Sequence, residues 1–177
     1  MFRSIVRGAL LLAASFAFGT HGATAAEEAS TAPVAAPTPP TTVYDKTLAP
    51  GWDNWSWART TLSTDLSGSA RKPIKVEAAG WQALYLHHSG FNTTGLTRLN
   101  FLIQGSVPDR EVRVYMVIGG KPVGEGKLVK VSNTGWTDVK VPLVTLGIEN
   151  TVIDGIWVQN ASAEDLPKFF VTDIRLD

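Results

Sequence analysis

The chain has 177 residues, with 16 basic and 16 acidic side chains, six Trp and no Cys. That length is enough to bury a proper core, while the lack of Cys excludes disulfides, lipid attachment at a cleaved amino terminus and thiolate metal sites. Charges of both signs are scattered without a basic block, so no nucleic-acid partner and no anionic lipid surface is expected.

Residues 1–26 read as a secretory signal peptide. Arg3 and Arg7 make its positive start, Gly8 to Phe18 is a short apolar run, and Ala23-Thr24-Ala25-Ala26 offers small residues for cleavage. The run is too short for a permanent membrane span, which takes roughly 20 residues. A secreted or periplasmic location is expected. Two of the 16 basic residues, Arg3 and Arg7, leave with the leader, so 14 remain against 16 acids, a net charge near −2. Residues 27–42, "EEASTAPVAAPTPPTT", are rich in Pro, Ala and Thr and read as an extended, semi-rigid linker. Residues 43–177 remain as one domain, and all six Trp fall within it.

The domain opens with "APGWDNWSWART", Ala49 to Thr60, where three Trp fall within six residues. In an extended chain Trp55, Trp57 and Arg59 share one face, with Trp52, Asn54 and Ser56 on the other. Trp at this density reads as core and sheet-edge filling, which would leave Asn54 and Ser56 outside. Strand signals then dominate: "PIKVEA", "WQALYLHH", "LNFLIQG", "EVRVYMVIGG", "GKLVKVS", "WTDVKVPL", "GIWVQNA" and "KFFVTDIRL". Turn residues such as Gly90, Gly95, Pro108-Asp109, Gly119-Gly120 and Asn133-Thr134-Gly135 separate them. No stretch of ten or more residues carries a helical period. The expected fold is all-β: an antiparallel sandwich of jelly-roll type.

Three of these strands have a clean apolar side: Phe101/Ile103, Val114/Met116/Ile118 and Ile156/Val158. By the same logic Leu84 and Leu86 are the buried pair of "WQALYLHH". Their neighbours then point outward together: Trp81, Tyr85 and His87; Leu102 and Gln104; Arg113 and Tyr115; Trp157 and Gln159. If these strands share one sheet, its outer face is a platform of aromatic rings with polar tips between them. Leaving a large apolar side chain in water forgoes roughly 1.5–3 kcal/mol, so such a face calls for a ligand. Rings that combine an apolar body with a polar handle suit sugars, whose C–H faces lie on indole or phenol while Gln, Arg and His tips reach the hydroxyls.

Other chemistry finds less support. Adjacent His87 and His88 point opposite ways in a strand and cannot chelate one ion together, so no zinc or copper site is expected. A glycoside hydrolase needs two carboxyl groups about 5–9.5 Å apart across one cleft, and the predicted face has none. The expected function is an exported, non-catalytic module that binds poly- or oligosaccharide. Two alternatives remain. One is a protein-docking or structural sandwich; the other is a polysaccharide lyase using Tyr85 or Tyr115 with His87 and Arg113. A separate partner enzyme or protein is left open.

The segments "VYDKTLAPGWDNWSWA", "WQALYLHHSGFNTTGLTRLNFLIQG" and "IDGIWVQNASAEDLPKFFVTDIRL", in that order, resemble secreted jelly-roll modules of the carbohydrate-binding, galactose-binding-like type. The resemblance spans nearly all of residues 43–177. It implies ligand binding on the concave sheet face or its edge loops. It also implies a structural calcium ion at Asp45, the Ser67-Gly68 loop and Asp173, against which the neighbouring Lys46 ammonium stands. Calcium takes six to eight oxygens.

Overall fold

Alternation of apolar and polar residues, broken by turns, is what the chain converts into strands. The computed structural model describes residues 41–177. The expected leader, residues 1–26, and residues 27–40 of the expected linker lie outside the described residues, while the last two residues assigned to the linker, Thr41 and Thr42, begin β1 and pair with β12. The strands are β1 (Thr41–Tyr44), β2 (Trp52–Asn54), β3 (Arg59–Thr61), β4 (Ile74–Ala78), β5 (Ala83–Asn92) and β6 (Arg98–Gly105). They continue with β7 (Arg110–Ile118), β8 (Lys121–Pro122), β9 (Lys127–Val131), β10 (Thr137–Pro142), β11 (Val152–Asn160) and β12 (Leu166–Leu176). Each of the segments expected to be extended forms one of them. "WQALYLHH" contributes the start of β5, which runs past His88 to Asn92 rather than ending there.

Two antiparallel sheets result. Sheet A has the order β10-β6-β12-β4-β3, with β1 alongside β12; sheet B has the order β2-β5-β11-β7-β8, with β9 alongside β7. Neighbours in each sheet are mostly distant in sequence, so the hydrophobic faces rather than local hairpins decide the pairing. The core lies between the sheets. Leu84, Leu86, Val112, Val114, Met116, Ile156 and Val158 from sheet B are buried in one cluster with Ile74, Val76, Phe101, Ile103, Phe169 and Val171 from sheet A. The face chosen from the alternation is therefore the buried one, except at the end of β7, where Val117 is buried and Ile118, expected inside, is exposed. A single-turn 3-10 helix at Leu143–Leu146 closes one end and buries Leu143 and Leu146.

Two bulges keep this core continuous. In β12 the inward residues are Phe169 and Val171, then Ile174 and Leu176, because an extra residue enters around Asp173, whose φ is 53°. In β11 the register slips between Ile153 and Gly155, so Ile153 and Ile156 both point inward. Simple alternation misses such shifts, since one added residue moves every later side chain to the other face.

Candidate functional site

On the outer face of sheet B, β11 lies between β5 and β7. Trp157 stands directly opposite Tyr85 on one side and Tyr115 on the other, and Gln159 stands opposite Arg113. The three rings meet edge to face: Tyr85 and Trp157 at 5.7 Å, Tyr115 and Trp157 at 6.3 Å, both at 78°. This is the favoured contact of aromatic quadrupoles. Gly155 faces His87 across the ladder, and a Cβ there would sit 2.1 Å from the Leu86 carbonyl oxygen and 2.8 Å from the Tyr85 ring. Only glycine lets β5 and its rings approach so closely.

A second aromatic layer covers the first. After β2 the chain stays with the edge of β5: Trp55 N donates to Tyr85 O at 2.9 Å, and Ala58 N to Ala83 O at 3.1 Å. Between them the Ser56 hydroxyl accepts from Tyr85 N at 2.9 Å, standing in for a backbone carbonyl. Ser56 is itself fixed by Asn54 Oδ1, which accepts from its backbone N–H and its hydroxyl. Trp55 and Trp57 consequently turn to the outer face. Trp55 lies flat on His87, centroids 3.5 Å apart and planes 4° apart, and Trp57 stands edge-on to Trp157 at 4.8 Å.

This reverses the expectation for the Trp-rich stretch. Only Trp52 belongs to the core, at 5% exposure, where it packs near His88 and Phe91. Trp55 and Trp57 are 57% and 41% exposed. Tyr85, expected to lie open to solvent, is covered to 7%. His87, expected to offer a hydrogen bond, is instead the backing of Trp55, and its Nδ1 is buried without a partner among the described residues. Trp157 Nε1 is buried and unpartnered in the same way. Each such group costs about 1–3 kcal/mol. The backbone of the outer layer is held by hydrogen bonds, and its rings meet the layer beneath through packing.

Trp81, 55% exposed, sits beside Trp57 in a tight turn closed by the Gln82 N to Ala79 O hydrogen bond of 3.0 Å. Its φ is 62°, the left-handed region that a bulky side chain avoids. The glycine of this turn is at the preceding position, where a Cβ on Gly80 would collide with Ala163 O at 2.1 Å. Trp81 is held in place from three sides: its N–H donates to Ser162 O, and its carbonyl accepts from Trp57 Nε1 at 3.3 Å and Gln159 Nε2 at 2.8 Å. Backbone strain of this kind costs on the order of 1–3 kcal/mol.

The remaining candidates divide. Arg113 lies on the same outer face, but its Nη1 donates to Glu125 O at 2.8 Å, which fixes its direction. Gln159 is on the face too, with its amide given to Trp81 as above. Gln104, together with Leu102, is on β6 in sheet A, paired through Phe170 and Thr172 of β12. It is not part of this site: alternation assigns a residue to a face, not to a sheet. Burial pushes the Tyr85 phenol above its usual range, and the Asp154 carboxylate adds to the shift.

The family model of the expansin-like protein C-terminal domain matches residues 43–177. The chain belongs to that family. A search of curated proteins found no match. Among solved structures, the expansin-like domain is similar to a variant of CBM29-2, a family 29 carbohydrate binding module (12% identity, 79% of this chain and 92% of that chain, TM-score 0.59). It is also similar to CBM29_1, a family 29 carbohydrate binding module from Piromyces equi (17% identity, 78% and 89%, TM-score 0.54). A CBM29-2 variant complexed with mannohexaose matches with a TM-score of 0.57 at 13% identity, over 78% of this chain and 90% of that chain. At these identities the likeness is one of fold, and it agrees with the carbohydrate-binding jelly-roll resemblance carried by the sequence segments.

The calcium site implied by that resemblance fits the expansin-like domain poorly. Asp173 Oδ2 is engaged by Arg71 Nε at 3.3 Å, and the Arg71 guanidinium also lies 5.9 Å from the centre of the Trp136 ring. The Thr172 hydroxyl donates to Asp45 O at 3.2 Å. Among the described residues no three His, Cys, Asp or Glu converge on one point. Asp173 is thus already paired with the Arg71 guanidinium.

Proposed function

We propose that the domain is an exported, non-catalytic module that binds polysaccharide or oligosaccharide on the shelf formed by Trp55, Trp57 and Trp81. The observation that carries this reading is the deliberate exposure of Trp55 and Trp57. Hydrogen bonds from Asn54, Ser56 and the β5 backbone hold them outward, over a second layer of His87, Tyr85 and Trp157. An unstrained fold gains nothing from this arrangement. It carries a strained backbone at Trp81, two buried unpartnered nitrogens and three indoles in water, all around one face. Costs concentrated at one place are characteristic of a functional site.

Support also comes from the solved relatives, described as carbohydrate binding modules, one of them complexed with cellulohexaose and another with mannohexaose. Export rests on the leader at residues 1–26. Against lyase chemistry, Tyr85 is buried, His87 lies beneath Trp55 and Arg113 is engaged by Glu125 O, so these candidates are not open to a substrate. The test is titration calorimetry with cellohexaose and mannohexaose. Trp55→Ala is expected to weaken binding about tenfold, equivalent to about 1.4 kcal/mol, with thermal stability retained. Unchanged affinity in Trp55→Ala, Trp57→Ala and Trp81→Ala would overturn the reading.

A further inference from the structure

Beside the shelf lies a cleft of about 620 Å³, within the range of small-molecule sites. Trp57 is the wall common to both. The opposite walls come from β3, β4 and the start of β12, which belong to sheet A rather than to the sheet that carries the shelf. Ala78 and Ala79, with their small side chains, leave the space open.

The polar lining is mixed. Arg59 and Glu77 stand opposite each other across the β3–β4 ladder and pair at 3.5 Å, while Lys75 approaches the other Glu77 oxygen at 3.4 Å. Asp165 is exposed at the cleft. Gln82 Oε1 accepts from Ala79 N at 3.0 Å, so its amide nitrogen is the end left to donate. Two donors, Arg59 and Gln82, thus accompany two acceptors, Glu77 and Asp165. A sugar hydroxyl both donates and accepts, and matches such a set. Arg59 and Lys75 balance Glu77 and Asp165 in charge, so nothing here attracts a net anion.

We infer that this cleft is a second subsite, taking a single neutral sugar unit that branches from a glycan whose backbone lies on the indole shelf. The inference rests on the shelf reading. A linear chain lying flat across sheet B has no reason to leave it for a cleft walled by sheet A, whereas a substituent on that chain reaches past Trp57 directly. The module therefore discriminates between substituted and bare forms of the same backbone.

The experiment is titration calorimetry of the full chain with two probes: mannohexaose, and mannohexaose carrying a single galactosyl branch. Wild type is expected to bind the branched probe about fivefold more tightly, the equivalent of one or two net hydrogen bonds. Asp165→Ala and Arg59→Ala should each reduce that preference toward one while leaving affinity for the bare probe unchanged. Equal affinity of wild type for both probes overturns the inference and leaves the shelf reading standing. So does a preference that survives both substitutions. Binding of the bare probe alone overturns the inference and leaves the shelf reading standing, whereas failure of both probes and of cellohexaose to bind overturns the shelf reading, and the inference with it.

Discussion

The outer faces of the two sheets follow the same alternation and have opposite chemistry. Sheet A presents Lys75 and Glu77 on β4, Asp138 and Lys140 on β10, and Arg98 beside Asp177, in ion pairs of 3.4, 2.9 and 3.7 Å. Such exposed pairs contribute between nothing and about 1 kcal/mol each, and away from the cleft at Glu77 a face of this kind needs no partner. Sheet B presents stacked rings, a strained turn and unpartnered nitrogens. One face is at ease in water and the other is not. Where a fold tolerates local discomfort on one side only, that side is where to look for a ligand.

Substitutions can break this contrast, and the largest effect is expected from the double change Trp55→Ala with Trp57→Ala. Removing both exposed indoles should reduce glycan affinity about a hundredfold, two steps of 1.4 kcal/mol, while the melting temperature stays within a few degrees; calorimetry and thermal unfolding check it. Next comes Ser56→Ala, which strands the Tyr85 N–H and loosens the segment bearing both indoles. A loss of about 1–3 kcal/mol is expected in urea unfolding, together with weaker binding.

Trp81→Gly separates stability from function. Glycine accepts a φ of 62° freely, so the variant should gain on the order of 1 kcal/mol in stability and lose affinity. A parallel loss of both would remove Trp81 from the site. The smallest effects belong to sheet A and its margin. Gln104→Ala and Lys140→Ala should each change stability by no more than about 0.5 kcal/mol and leave binding unaltered. Because Arg71 engages Asp173, a chelator should leave the melting curve unmoved; stabilisation by added calcium would reverse that assignment.

Much of the molecule was legible in its letters. Leu84/Leu86, Val114/Met116 and Ile156/Val158 pointed to the buried side of sheet B, and Tyr85, Tyr115 and Trp157 to the other, because period-2 patterning determines faces. It does not determine which strands are neighbours, and Gln104 was misplaced for that reason. Nor does it hold where the chain leaves regular pairing. Between Asn54 and Ala58 a serine hydroxyl replaces a ladder carbonyl, and the two flanking Trp go outward instead of into the core. The Asn-Trp-Ser-Trp order was the available clue, since a polar residue able to bond the backbone sits between the two rings. The bulges at Gly155 and Asp173 left no comparable trace in the apolar pattern.

The parallel contact between Trp55 and the imidazole beneath it has a mechanical corollary. One side of that indole is occupied, so a saccharide bound as proposed would meet it from the other side only. A polymer held on one side in this way would need no free end to be admitted.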